Sequence, residues 1–218
     1  MHFTQYQHVR VLLLLFGDKK LSINRYNKSR FLMGAHEVMQ LPEDIGTEVA
    51  FAGRSNAGKS SVLNVITANS KLARISKTPG RTQQMNIFVL DDERRLVDLP
   101  GYGYAKVPVA MRRHWGATLN KYFLERKALS GLMLIMDIRH PLKPDDQQMI
   151  DWSLEVGLPT HVLLNKSDKL SRGAGMQQLN QLKRLINNDL LSIQLFSALK
   201  RKGAEEAREV LDQWFGYQ

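Results

Sequence analysis

The chain has 218 residues, 43% of them apolar and 24% charged, a balance typical of a globular domain that is long enough to bury a core. It contains no cysteine, which excludes disulfides, thiolate zinc sites and cysteine nucleophiles. The formal net charge of +10 favours polyanionic partners, such as RNA, DNA or an acidic membrane surface.

The amino-terminal region contains one strongly apolar run, "VLLLLF", at 11–16. The run is followed at once by Gly-Asp-Lys-Lys, and no small-residue cleavage site follows it. A secretory signal needs an apolar core of about 7–15 residues, and a membrane span needs about 20. We therefore expect neither a signal peptide nor a transmembrane segment. Residues 1–46 show no strand–helix alternation and are expected to form an appendage or an amino-terminal wrap.

Short apolar runs alternate with helix-like runs from Glu48 onward. The predicted strands cover 48–53, 85–90, 94–99, 131–138, 160–165 and 192–197. The predicted helices cover 59–68, 109–127, 145–156, 174–189 and 203–215. The short acidic turn at 91–93 predicts an antiparallel hairpin. The pattern predicts an α/β fold, a mostly parallel six-stranded sheet with one antiparallel strand and helices on both faces. Ligands then lie beyond the carboxyl ends of the strands.

The segment "GRSNAGKS" at 53–60 fits the pattern G-x-x-x-x-G-K-[ST]. It follows a predicted strand and opens a predicted helix, as a phosphate-binding loop requires. Its glycines let backbone N–H groups turn toward phosphate oxygens, and the helix start adds partial positive charge. Lys59 is expected to reach the β- and γ-phosphates, and the Ser60 hydroxyl to bind Mg²⁺.

The segment "NKSD" at the end of a predicted strand indicates which base is bound. The Asp168 carboxylate can accept both the N1–H and the amino group of guanine, a donor pair that adenine lacks. Asn165 is expected either to contact the other edge of the base or to brace the phosphate loop. The aliphatic stem of Lys166 can cover the face of the ring.

Two further segments complete the pattern of a nucleotide switch. In "DLPG", Asp98 is expected to hold Mg²⁺ through water, and the Gly101 N–H to sense the γ-phosphate. The polar, basic segment at 76–84 is expected to lie over the phosphates. There Thr82 is the first candidate for a second Mg²⁺ ligand, and Thr78 is the alternative.

The chain resembles the EngB (YihA/YsxC) group of bacterial translation-factor-related GTPases. The resemblance rests on "GRSNAGKSS", "SKTPGRTQ", "DLPGYGYA", "MDIRHPLK", "LLNKSDK" and "FSALK", and extends from about residue 28 to 215. The combination of "TPGRTQ" with "DLPGYGYA" is specific to this group. The resemblance implies a three-layer Ras-like P-loop G domain at 28–218, preceded by an extension at 1–27 of unassigned role.

The resemblance also implies the site and its cofactors. It implies Mg²⁺ on Ser60 and Thr82, which together with Asp98 form the expected metal-binding residues. It also implies backbone contacts to guanine at 197–199. The expected catalytic residues are Lys59, Thr82 and Gly101. The expected GTP-contacting residues are Gly53, Arg54, Ser55, Asn56, Ala57, Gly58, Lys59, Ser60, Ser61, Gly80, Arg81, Thr82, Asp98, Leu99, Pro100, Gly101, Asn165, Lys166, Ser167, Asp168, Ser197, Ala198 and Leu199.

Hydrolysis by the isolated chain is expected to be slow. Ras-type enzymes orient the attacking water with a glutamine just after D-x-x-G, whereas this chain has Tyr102 there. Faster turnover could come from a partner, from Arg81 or Arg54, or from K⁺. Other GTPases with an asparagine at the position of Asn56 use it to bind K⁺, which makes this residue a candidate cation ligand.

The resemblance implies a cytoplasmic role in assembling the large ribosomal subunit, with an effect on septation. The net charge suits such an RNA-rich partner, and we expect a monomer. One alternative is a GTP-loaded binding module of the division machinery, in which hydrolysis is incidental. An ATP-dependent kinase is disfavoured by Asp168.

Overall fold

The computed structural model describes residues 24–73, 84–103 and 109–217, with side chains described from residue 116 onward in the last range. The predicted extension before residue 24 and the predictions for Thr78, Gly80, Arg81 and Thr82 lie outside the described residues.

The described residues form one mixed sheet. Its strands are β1 (Arg30–Ala35), β2 (Thr47–Gly53), β3 (Met85–Val89), β4 (Arg94–Asp98), β5 (Leu129–Asp137), β6 (Thr160–Asn165) and β7 (Leu191–Leu195). Their spatial order is β1-β3-β4-β2-β5-β6-β7, and β3 runs antiparallel to both of its neighbours. The other neighbouring strands pair in parallel. The prediction of an α/β fold with one antiparallel strand is confirmed.

The described sheet has seven strands, whereas the sequence predicted six. The additional strand is β1, so the expectation of an appendage is wrong for this part of 1–46. Phe31 and Leu32 of β1 stay exposed, which explains why the strand lacks a buried apolar pattern. Pairing with β3, from Arg30 opposite Val89 onward, places β1 at the edge of the sheet.

Helices cover both faces of the sheet. They are α1 (Lys59–Ile66), α2 (Val109–Glu125), α3 (Pro144–Glu155), α4 (Arg172–Leu185) and α5 (Ala204–Trp214). In β2, Val49 and Phe51 pack with α1 and α5, whereas Ala50 and Ala52 pack with the other three helices. This alternation is the period-2 pattern of a strand buried on both faces. No helix in the described ranges is long and apolar enough to cross a bilayer.

The segment just before β1 packs against α5. Tyr26 is 1% exposed, and its hydroxyl donates a hydrogen bond of 2.6 Å to Asp212 Oδ1. Its ring lies 6.3 Å from that of Phe215. The sequence analysis set the start of the domain at residue 28. Tyr26, two residues earlier, is already packed against the domain.

The strand register brings polar strand ends together. Phe51 lies opposite Asp98, and Asp137 lies opposite Asn165. Because parallel strands end at the same edge of the sheet, these side chains surround the loop that follows Gly53.

Candidate functional site

The loop between β2 and α1 has the geometry of a phosphate cradle. Gly58 stands just before the first residue of α1 with φ 98°, a left-handed conformation that favours glycine. A Cβ there would collide with the Asn165 side-chain nitrogen. Within the loop, the Ser55 N–H donates to the Tyr102 carbonyl at 2.8 Å, and the Ala57 N–H donates to the Arg54 carbonyl at 2.9 Å. These bonds fix the loop beside the start of α1, and the first N–H groups of a helix have no partner within that helix.

Lys59 and Asp98 meet at the carboxyl ends of β2 and β4. The Lys59 Nζ atom contacts Asp98 Oδ1, and the two side chains are 11% and 7% exposed. Ser60 follows Lys59 in the first turn of α1 and is half-buried. The arrangement places an ammonium group, a carboxylate and a hydroxyl beside the phosphate loop, which is the donor set that phosphates with a hard cation need.

The Asp168 carboxylate is held by the loop that follows β7. The Ser197 hydroxyl donates a 2.5 Å hydrogen bond to Asp168 Oδ1. This bond, acting against a smaller effect of burial, lowers the pKa of Asp168 below its usual value. The Lys169 Nζ atom lies 3.7 Å from the other carboxylate oxygen. Asp168 is therefore an ionised acceptor of fixed orientation.

Asn165 links the base side of the site to the phosphate side. Its Nδ2 group donates to the Ala57 carbonyl at 2.8 Å, and its Oδ1 atom accepts from the Ala198 N–H at 3.1 Å. Of the two roles that the sequence left open, the structure shows the bracing of the phosphate loop. Asn165 is 2% exposed, which suits this internal role.

The loop at 197–199 was expected to meet guanine through its backbone. The Ser197 N–H donates to the Lys202 carbonyl at 3.0 Å, and the Ala198 N–H donates to Asn165. No described residue accepts a hydrogen bond from the Leu199 N–H. Among the three backbone N–H groups, that of Leu199 is therefore the one left without a partner among the described residues.

The segment after Asp98 docks on the phosphate loop. Leu99 and Pro100 are buried, whereas Gly101 is exposed. The Tyr102 carbonyl accepts from Ser55, and the Tyr102 hydroxyl donates to Asp146 Oδ1 at 2.9 Å. Burial raises the pKa of Tyr102 well above its usual value, with Asp146 adding to the effect. A neutral phenol bonded to Asp146 is not placed to take a proton from water.

Arg54 lies between this segment and α3. A Cβ on Gly103 would be 3.1 Å from Arg54 Nε and 2.7 Å from Asp145 Oδ2. The Nε group is buried, and no described residue accepts a hydrogen bond from it. Its predicted part in hydrolysis stays a prediction.

The sequence analysis missed one charged residue of this site, Asp137. The Lys166 Nζ atom donates to the Asn56 carbonyl at 2.6 Å and to Asp137 Oδ2 at 2.9 Å. Arg139 binds the same carboxylate through Nε at 2.9 Å and Nη2 at 2.6 Å. Burial alone would raise the pKa of Asp137, but these hydrogen bonds lower it well below its usual value. The sequence does contain one sign of Asp137, since it is the single acidic residue at the end of the apolar run that forms β5.

Contacts join four segments of the predicted site into one cluster. The phosphate loop, the segment at 98–101, the strand end at 165–168 and the loop at 197–199 are linked through Asn165, Asp98, Asp168 and Tyr102. Ser167 belongs to the cluster through its N–H, which donates to the Phe196 carbonyl at 3.0 Å. The fold and this cluster define a P-loop nucleotide-binding protein.

Comparison with known proteins gives the family. Residues 48–166 match a family model described as "50S ribosome-binding GTPase". A "Probable GTP-binding protein EngB" from Stenotrophomonas maltophilia is 54% identical over 192 residues, which are 87% of this chain and 96% of that protein. A protein of the same name from Xanthomonas euvesicatoria is 52% identical over 87% of this chain and 93% of its own length. The chain belongs to the EngB family of GTP-binding proteins, and it is a GTPase.

Two solved structures show the same fold. The crystal structure of a probable GTP-binding protein engB has a TM-score of 0.64 at 20% identity, covering 79% of this chain and all of that one. Era from Aquifex aeolicus has a TM-score of 0.62 at 21% identity, covering 77% of this chain and 56% of that one.

Proposed function

We propose that the chain is a slow, monomeric GTP-dependent switch that acts in the cytoplasm in assembly of the large ribosomal subunit and is needed for normal septation. The observation that carries the nucleotide part is the bridge made by Asn165, which ties the phosphate loop at Ala57 to the base loop at Ala198. The two halves of a bound nucleotide would thus be contacted by one connected framework.

The proposed roles follow the chemistry of GTP. Lys59 and the start of α1 bind the phosphates, and the Gly101 N–H meets the γ-phosphate. The Asp168 carboxylate accepts the paired donors of guanine. Support comes from the lowered pKa of Asp168, because an ionised carboxylate can accept two hydrogen bonds and donate none.

The residues fit a Mg²⁺ ion. The Asp98 carboxylate already contacts a cation, the Lys59 ammonium. Ser60, the residue that follows Lys59, adds a hydroxyl oxygen. Oxygen donors are the ligands that Mg²⁺ prefers. Ser60 and Thr82 would hold the ion directly and Asp98 through water. When bound, Mg²⁺ neutralises phosphate charge, while Lys59 and the loop amides orient the phosphates.

K⁺ is the proposed accelerator of hydrolysis, with Asn56 as a ligand. Asn56 is exposed in the phosphate loop, and its backbone has φ 67°. Single-turnover hydrolysis measured in KCl and in NaCl tests this role. Equal rates in the two salts would remove K⁺ from the proposal, leaving a partner, Arg81 or Arg54 as the source of faster turnover.

An exposed basic turn supports an RNA-rich partner. Reciprocal backbone bonds between Ser197 and Lys202 close the turn, and Leu199 at its tip is 71% exposed. Lys200, Arg201 and Lys202 are exposed and form no ion pair with a described residue. Unpaired cations on a fixed turn suit the phosphates of an RNA backbone.

Co-sedimentation with large-subunit particles tests the ribosomal part. The protein loaded with a non-hydrolysable GTP analogue should pellet with the particles, and the GDP-loaded protein should pellet much less. Binding should weaken steeply as salt rises, because released counterions favour the complex. A protein that ignores the particles in both nucleotide states would contradict the assembly role and favour a partner elsewhere, such as the division machinery.

A further inference from the structure

The Lys166 ammonium connects two parts of the chain that are far apart in sequence. It donates to the Asn56 carbonyl in the phosphate loop at 2.6 Å and pairs with Asp137 Oδ2 at the end of β5 at 2.9 Å. The Lys166 and Asp137 side chains are 27% and 15% exposed, so the pair is largely shielded from water.

The donor and the acceptor residue of the Lys166–Asn56 hydrogen bond both have unusual backbones. Asn56 has φ 67° and Lys166 has φ 64°, left-handed values that non-glycine residues adopt only at a cost. Such conformations persist where the surroundings over-determine them, and they cluster at binding sites. The hydrogen bond from Lys166 to Asn56 ties these two strained positions to each other.

Asp137 is itself held rigidly. Arg139 grips its carboxylate with two side-chain N–H groups and one backbone N–H, the last at 3.1 Å. Its backbone is fixed by pairing with Asn165 in the neighbouring strand. The carboxylate is therefore a fixed anchor toward which the longer, more flexible Lys166 side chain is drawn.

We propose that Asp137 is a positioning residue of the nucleotide site, which holds Lys166 on the Asn56 carbonyl and thereby sets how long a guanine nucleotide stays bound. Without this carboxylate, the shielded ammonium loses its counter-charge, and the tie that Lys166 makes to the phosphate loop weakens, whereas the separate bridge through Asn165 remains. The inference rests on the proposed nucleotide site, because it assigns a role within it.

The release of fluorescently labelled GDP tests this role in four variants of the full chain. Asp137→Asn keeps the shape and removes the charge, and it should speed release by about tenfold, the loss expected for one charge-assisted hydrogen bond. Lys166→Met should speed release at least as much. The double variant should release GDP no faster than Lys166→Met alone, because Asp137 acts through Lys166. Arg172→Gln, on the exposed surface of α4, is the control and should change release by less than about threefold.

Hydrogen exchange of the 53–60 peptide gives a second readout. A general loss of stability would raise exchange throughout the chain, whereas loosening of the phosphate loop would raise it in this peptide. Exchange in the peptide should rise in Asp137→Asn and in Lys166→Met while exchange in β2 stays unchanged. An Asp137 effect of equal size in the Lys166→Met background would overturn the inference, as would unchanged release in Asp137→Asn. If Asp137→Asn does not fold, unchanged release and exchange in Lys166→Met overturns it instead. A wild-type chain that binds no GDP would contradict the proposed site itself.

Discussion

The two ends of β2 and β4 both carry charged side chains, but these charges are used differently. At the amino end, Glu48 is fully buried and pairs with Arg126 Nη2 at 2.7 Å and Arg95 Nε at 3.0 Å. At the carboxyl end, Lys59 pairs with Asp98 beside a loop that contains left-handed residues. The amino-end charges are enclosed by protein groups, whereas the carboxyl-end charges border an exposed loop, so we infer that the first cluster serves stability and the second serves a ligand.

The same contrast recurs along β6. His161 near its amino end is 4% exposed, with Nδ1 2.6 Å from the Ser192 hydroxyl and Nε2 2.7 Å from Gln194 Oε1. Asn165 at its carboxyl end holds the two loops of the nucleotide site. In β2, β4 and β6, the amino end therefore carries buried contacts within the fold and the carboxyl end carries residues of the nucleotide site. Substitutions at the two ends should separate effects on stability from effects on nucleotide binding.

The largest expected effect is at the amino end. Glu48→Gln should lower the free energy of unfolding by about 3 kcal/mol, because it leaves two buried arginines without their shared carboxylate. Urea unfolding measures this change, and GDP affinity of the folded variant should stay within about twofold. Glu209→Gln, on an exposed carboxylate of α5, is the control and should change stability by less than about 0.5 kcal/mol. Equal losses in the two variants would contradict the structural role of Glu48.

Ser60→Ala tests ligand binding beside the carboxyl ends of β2 and β4. Loss of the proposed Mg²⁺ ligand should weaken GTP binding by about 30-fold, roughly 2 kcal/mol, when Mg²⁺ is present. The unfolding free energy without nucleotide should change by less than about 0.5 kcal/mol, because the side chain is only half-buried. Titration calorimetry in EDTA is the control, since there the variant and the wild type should bind equally. A deficit that persists in EDTA would argue against metal binding by Ser60.

Replacing Lys200, Arg201 and Lys202 by glutamine tests whether the carboxyl-end region also faces RNA. Affinity for large-subunit particles should fall by about tenfold at low salt, with a shallower salt dependence. Replacing Arg172, Lys183 and Arg184 on α4, which are also exposed, removes the same charge and should have a smaller effect. Equal losses would mean that only the overall charge attracts the particles.

The smallest expected effect is the pH dependence of stability due to His161. Burial lowers the pKa of His161 below its usual value, so the folded state favours the neutral ring. The unfolded chain then takes up protons first, and stability should fall as pH drops below about 6.5, by less than about 1 kcal/mol between pH 7.5 and 5.5. His161→Leu should flatten this part of the curve, whereas His36→Gln, on the exposed surface, should not. A wild-type curve that rises toward acid would contradict the sign.

How far the sequence predicts this molecule depends on whether a feature is local. Strand–helix alternation predicted the fold, and the motifs at 53–60 and 165–168 predicted the strand ends and the helix start that form the candidate site, because these features are set locally. The edge strand β1 was missed because its position depends on pairing with β3, and its exposed Phe31 leaves no buried pattern. Asp137 was missed because its partner Lys166 is 29 residues away in sequence. Likewise, only the folded chain shows that Asn165 is used for bracing.

Nucleotide binding by Asp168→Asn tests the central claim, that the charges at the carboxyl end serve a guanine nucleotide, most directly. An asparagine presents a donor where guanine also donates, whereas xanthine offers a carbonyl oxygen at that position. The variant should lose GDP affinity by about 100-fold and gain affinity for xanthosine diphosphate, with unfolding little changed, because the asparagine Oδ1 atom can still accept from the Ser197 hydroxyl. Unchanged GDP binding by the folded variant would contradict the account, because Asp168 would then not read the base.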